Sequence, residues 1–294
     1  MSDDAFVELS NGVNLCYRDY GDRNGDPIVM VIGLGFQLIH WPAQLIDTLC
    51  QNGHRVITFD NRDSGRSSRM DTPRPSLWQK LVGKAPKGAY DLGDMAGDAV
   101  QLLDHLGIDR AHVAGMSMGG MIAQVIAARY PQRVKSLTSI FSTTGSRKAG
   151  QPVPRLMLHF ARSTDRNREA YIDWNLKTVD LVAGPGFPTD RRASREMFAQ
   201  AWERGAPDLL HALSRQVGAI FKSGDRTAEV RSIAAPTLVI HGDSDPLVTP
   251  SGGEATAAAI PHAHHVVIPG MGHELAPTLV PQLADLMLAH TRTA

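Results

Sequence analysis

Apolar positions along the chain fall into two patterns that alternate. Short continuous runs occur at Ile28–Ile32, Arg55–Phe59, Ala111–Ala114, Val134–Ile140, Thr237–Ile240 and His265–Ile268. Continuous runs of this length predict strands covered on both faces, as in a parallel sheet. Between several of them the spacing is helical. Residues 92–106 place Leu92, Met95, Ala96, Ala99, Leu102, Leu103 and Leu106 on one face, with Gly107 as a stop, and residues 118–130 predict a helix ended by Pro131. At the start, Phe6-Val-Glu-Leu and Val13-Asn-Leu-Cys-Tyr flank Asn11-Gly12, which predicts a hairpin. Strand and helix in alternation predict a three-layer α/β fold around a mostly parallel sheet. The alternation lapses over residues 144–228, which carry helix-like segments and Pro152, Pro154, Pro185 and Pro188 among their breakers, but no strand pattern. We therefore expect a core of residues 1–143 and 229–294, interrupted by a helical insertion at 144–228 that rests on the sheet as a cap.

Composition narrows this picture only slightly. In 294 residues, 30 Lys and Arg balance 30 Asp and Glu, so no global field draws the chain to nucleic acid or to a membrane, although a local basic patch stays compatible with the total. Two cysteines, Cys16 and Cys50, make no disulfide scaffold and read as small core residues in a reducing compartment. The N-terminal residues lack the apolar stretch of a secretory signal, and the longest apolar run, Ile28–Ile39, is broken by Gly33, Gly35 and Gln37. The expectation is a cytoplasmic protein, monomer or homodimer, acting on a small molecule.

The candidate chemistry sits where strands end. Gly115-Met-Ser-Met-Gly119 follows one predicted strand and opens a predicted helix. A serine on so sharp a turn needs small residues two positions to either side, and both are glycine. A serine hydroxyl is a weak nucleophile without a base. Of twelve histidines, His273 stands out because Pro269-Gly-Met-Gly-His follows the last predicted strand, at the carboxyl edge where open α/β sheets place their sites. His262, His264 and His265 lie at the opposite end of that strand and read as a polar turn, not a metal cluster. A base needs an orienting acid, and His241-Gly-Asp243-Ser-Asp245-Pro offers two. Asp245 is favoured, with Asp243 left to shape the turn. Two backbone donors would complete an oxyanion hole: the amide of Met118 after the serine, and that of Leu34 in the Gly33-Leu-Gly-Phe36 loop.

With Gly115–Gly119, His241–Val248, Gly270–His273 and the loop Asp60-Asn-Arg-Asp-Ser-Gly-Arg-Ser67, the chain resembles the α/β-hydrolase fold superfamily over nearly its whole length outside the insertion. It looks most like bacterial carboxylesterases of the aclacinomycin methylesterase type. The resemblance implies a Ser-His-Asp triad in the order Ser117, Asp245, His273, no cofactor, no metal and a helical cap. One departure is visible: Ile32-Gly33 stands where many members have His-Gly, which keeps the backbone donor but changes its surroundings. Serine at the elbow sets the chain apart from the dehalogenases and epoxide hydrolases of this fold, which carry aspartate there. Arg62 and Asp63 read as structural, and Met157, Phe160, Trp174, Phe187, Met197 and Trp202 as a group from which a pocket is lined.

These readings predict a serine hydrolase that cleaves a carboxylic ester through an acyl-enzyme. The same triad also serves C–C bond hydrolases, lactonases and perhydrolases, because cap and pocket set the substrate. A non-catalytic binding module of the same fold is the remaining alternative. A nucleotide-binding reading fails, since Gly33-Leu-Gly35 lacks the third glycine and no P-loop is present.

Overall fold

The structure is a computed structural model that describes residues 3–160, 167–205 and 209–294. Its first element is the hairpin that Asn11-Gly12 encodes. Gly12 takes φ of +79°, Gly12 N donates to Leu9 O and Leu9 N donates to Val13 O, which folds β1 (Ala5–Glu8) back on β2 (Asn14–Tyr20). The remaining strands are β3 (Asp26–Val31), β4 (His54–Phe59), β5 (Ala111–Met116), β6 (Val134–Ile140), β7 (Thr237–Gly242) and β8 (His264–Ile268). They form one sheet in the order β1-β2-β4-β3-β5-β6-β7-β8. It is antiparallel at the β1–β2 and β2–β4 pairings and parallel from β4 onward.

The continuous apolar runs are explained by what covers each face. In β3, Ile28 and Met30 join Leu45, Leu49, Leu283 and Met287, which come from α1 (Ala43–Gln51) and α11 (Val280–Arg292). The alternate residues Val29 and Val31 join Leu102, Leu103, Ile122 and Ile126 from α3 (Leu92–His105) and α4 (Met118–Arg129) on the other face. Each such side chain, fully removed from water, contributes roughly 1.5–3 kcal/mol, so both faces must be apolar for a central strand to hold. Asp91 caps α3, accepting from Gly93 N and Asp94 N. Cys16 is fully buried in β2, and burial lifts its thiol to about 12.

Between β6 and β7 the described chain is helical and contains no strand: α5 (Pro154–Phe160), α6 (Arg168–Val182), α7 (Arg191–Gly205) and α8 (Leu209–Ser223), with α9 (Thr227–Val230) running across position 228. α2 (Leu77–Val82) lies between β4 and α3, and α10 (Ser251–Ala259) between β7 and β8. A small apolar cluster of Tyr171, Ile172, Leu176, Val179 and Phe198 binds α6 to α7, and Phe36, Met197 and Trp202 pack against it. Of the six large apolar insertion residues, from which only some are expected to line a pocket, Met157 is 57% exposed. Trp174 stacks on His159, and Phe187 packs against the apolar cluster that includes Ile268 and Met271.

Candidate active site

The backbone at Ser117 is left-handed, with φ of 55° and ψ of −122°. A non-glycine residue there costs of order 1–3 kcal/mol and persists only when its surroundings dictate it. They do so here. Ser117 N donates to Ile140 O (2.9 Å), Ser142 Oγ donates to Ser117 O (2.7 Å), and Met121 N donates to the same carbonyl (3.1 Å). The flanking glycines are sterically required: a Cβ on Gly115 would lie 2.2 Å from Gly119 O, and one on Gly119 would lie 2.0 Å from Val31 O.

The structure brings Ser117, His273 and Asp245 together from three loops. His273 Nδ1 donates to Asp245 Oδ2 (2.7 Å), which leaves Nε2 to accept from Ser117 Oγ (2.9 Å). The other carboxylate oxygen, Asp245 Oδ1, accepts from Leu247 N (2.8 Å) and Val248 N (3.0 Å). Burial by itself would raise this carboxyl. The electrostatic pull of the His273 ring, together with hydrogen bonds from His241 and His273, outweighs burial and holds it at about 2. Asp243 acts elsewhere in the same turn. Its Oδ1 accepts from Gly270 N (2.7 Å) and ties the acid loop to the histidine loop.

The oxyanion candidates lie beside the serine. Met118 opens α4 ahead of the first intrahelical bond, so the helix does not consume its amide. Leu34 sits in a turn closed by Phe36 N to Gly33 O (3.2 Å), and a Cβ on Gly33 would come within 3.3 Å of Ser117 Cβ. One neighbour carried no sequence signal. Phe141, at φ of +34°, packs its ring against His273 with centroids 4.4 Å apart.

A second arrangement of the same residue types marks what the candidate site has in addition. Ser136 Oγ lies 2.8 Å from His112 Nδ1, and His112 Nε2 lies 3.0 Å from Asp26 Oδ2. That serine is 1% exposed, the backbone around it is ordinary strand, and Asp26 also pairs with Lys135. His112 stands at the amino end of β5, the edge opposite Ser117, where it joins strands and meets no solvent-accessible nucleophile.

The comparisons with known proteins bear on the fold and the family. Residues 26–277 match the family model described as alpha/beta hydrolase fold. The chain belongs to the α/β-hydrolase family. It is 30% identical to the rhodomycin D methylesterase of Streptomyces sp. (strain C5), over 96% of each chain, and 29% identical to a non-heme haloperoxidase of Rhodococcus erythropolis, over 91% of this chain and 92% of that one. The enol-lactonase of Burkholderia xenovorans superposes with a TM-score of 0.74 at 24% identity, covering 99% of this chain and all of the other.

In this α/β hydrolase the segment between β6 and β7 grips both halves of the site. On the histidine side, His273 N donates to Val182 O (2.8 Å) at the end of α6, and Gly186 N donates to Gly270 O (2.9 Å). The two loops run backbone against backbone. A Cβ on Gly184 would lie 2.2 Å from Gly270 O, and one on Gly272 would lie 2.2 Å from Val182 O. On the oxyanion side, Gln216 of α8 is fully buried. Its Oε1 accepts from Gly35 N (2.9 Å), while its Nε2 donates to Arg62 O (2.8 Å) and Ser64 Oγ (2.9 Å).

The Asp60–Ser67 loop is a buried ionic frame. Arg62 makes a two-pronged contact with Asp98 at 2.6 Å, and Asp63 accepts from Arg215 of α8 and from Tyr90 Oη. Arg204 of α7 meets Asp60 (3.2 Å), Asp4 (2.9 Å) and Gln37 (2.8 Å). Burial keeps Asp60 above the ordinary carboxylate value despite Arg204, whereas Asp4, in which Arg204 and Arg18 outweigh burial, lies below it. Arg62 and Asp63 are thus structural, as their loop chemistry predicts.

Proposed function

We propose that this α/β hydrolase cleaves carboxylic esters through an acyl-enzyme, with residues 144–228 as the cap over its pocket. His273 Nε2 takes the proton of Ser117 Oγ as that oxygen attacks the ester carbonyl. Asp245 keeps His273 in the tautomer that can accept the proton and stabilises the resulting imidazolium. The amides of Leu34 and Met118 bind the oxyanion. His273 then protonates the departing alcohol, and the C–O bond breaks to leave an acyl group on Ser117. Water, deprotonated by the same histidine, attacks that acyl group and releases the acid.

The observation that carries this reading is the continuous hydrogen-bonded chain Ser117–His273–Asp245 on a strained serine turn at the carboxyl edge of the sheet. The methylesterase relative supports the ester class.

The test is hydrolysis of p-nitrophenyl acetate, butyrate and octanoate, with a γ-lactone and hydrogen peroxide plus acetate alongside, by the natural protein and by Ser117→Ala. The expected outcome is turnover of the simple esters that falls by about four to six orders of magnitude in the variant. Equal turnover by both proteins contradicts the reading. Turnover confined to the lactone or to peracid formation replaces the ester class and leaves the triad in place.

A further inference from the structure

One short helix stands apart because it buries nothing. In α2 no residue is buried, and Leu77, Trp78 and Leu81 are 77%, 70% and 74% exposed. Spaced i, i+1 and i+4, they share one face of the helix. Six residues do not form a helix in water on propensity alone. This helix is instead fixed at both ends by its own sequence. Gln79 N donates to Ser76 Oγ and Ser76 N to Gln79 Oε1 at the start; at the end Gly83 adopts φ of +63° while Lys84 N donates to Gln79 O (2.8 Å). The sequence therefore specifies a rigid element whose apolar face meets solvent, the kind of exposed patch that marks a docking surface.

Between Asp71 and Asp91 the charges on the segment that carries that face are all of one sign. From Thr72 to Tyr90 there is no acidic residue, and Arg74, Lys80, Lys84 and Lys87 lie at or near the surface. Arg147, whose Nη2 donates to Val82 O (3.2 Å), and its neighbour Lys148 add two cations beside α2, and Arg155 follows in a stretch, residues 141–160, that has no acid. Among the described residues none of these seven cations forms an ion pair. In a chain of zero net charge this is a local concentration of positive potential beside three large apolar side chains.

We propose that α2 and its basic flanks dock this protein on an anionic phospholipid surface, with Trp78, Leu77 and Leu81 entering the interface and the lysines and arginines at the headgroups. A lipid surface accepts both features at once, since apolar side chains reach the acyl boundary while cations meet phosphates. A second copy does not fit as well, because a two-fold contact through this face would set like charges against each other. The inference is independent of the hydrolytic reading and stands or falls by itself.

The test is flotation of the full chain with vesicles of phosphatidylcholine alone and of equal parts phosphatidylcholine and phosphatidylglycerol. We compare the natural protein, Trp78→Ala, and the double variant Lys80→Glu with Lys84→Glu. Because α2 is not part of the core, unchanged thermal unfolding is the folding control for both variants. The expected outcome is binding to the anionic vesicles only, reversed by salt, with each variant weaker by about ten-fold or more. A blue shift of tryptophan emission should accompany binding and disappear in Trp78→Ala. No binding, equal binding to neutral vesicles, or binding insensitive to the charge reversal overturns the proposal. So does sedimentation showing that Trp78→Ala disperses a dimer while vesicle binding is unaffected.

Discussion

Ser117 and Asp245 show how single residues are prepared by their surroundings. Asp245 is almost fully buried, yet His241, His273 and two backbone amides keep it ionised. In the proposed mechanism its part is to fix which nitrogen of His273 carries the proton. Asp245→Asn keeps the shape but reverses that preference, so ester turnover should fall by about four orders of magnitude with little change in folding, measured as kcat beside the unfolding midpoint. The order Ser117, Asp245, His273 was readable because each residue sits in a glycine- or proline-marked turn after a strand pattern. Phe141 was not readable: nothing in Ile140-Phe-Ser announces a positive φ or a ring against His273. Residue type alone would not have found the site either, since Ser136, His112 and Asp26 make similar contacts where no substrate can reach.

Among the elements, α8 connects the insertion to the loop proposed to bind the oxyanion. Gln216→Leu removes one acceptor and one donor and leaves Gly35 N, Arg62 O and Ser64 Oγ without partners. Each buried group so stranded costs about 1–3 kcal/mol. If the loop positions the Leu34 amide, the variant should lose about ten-fold or more in kcat with KM nearly unchanged, and Gln216→Glu, which keeps the acceptor for Gly35 N, should recover part of it. Equal losses in kcat and in thermal stability for both variants, with the KM–kcat split absent, would make Gln216 a packing residue only. The central strands were legible because a strand covered on both faces is apolar at most of its positions. The insertion's grip on the core was not, because its partners are far apart in sequence: 144 residues separate Asp60 from Arg204 and 181 separate Gly35 from Gln216.

For the molecule as a whole, buried titratable groups set the dependence of stability on acid. Burial lowers His40 to about 4 from an ordinary 6.5, so the fold holds it neutral. The unfolded chain takes up that proton first, so the stability His40 contributes is complete above about pH 6.5 and drains as pH falls toward 4. Asp245, held at about 2 against 3.8, contributes stability that is present above its unfolded value and lost on further acidification. Asp4 and Asp26, also lowered, act in the same direction. Urea midpoints should therefore fall in two stages, a first between about pH 6.5 and 4 and a second below about pH 4. His112, His159, His265 and His290, also lowered by burial, add to the first stage, so His40→Gln should reduce that stage without abolishing it and leave the second in place. A midpoint constant down to pH 4 contradicts this assignment.

The central claim, that Ser117 is the nucleophile, is tested most directly by labelling the folded protein with a fluorophosphonate and locating the adduct by mass spectrometry. One adduct per chain is expected, on the peptide containing Ser117, formed slowly or not at all by His273→Ala. An adduct on another serine, or none on a protein shown to be folded, contradicts it.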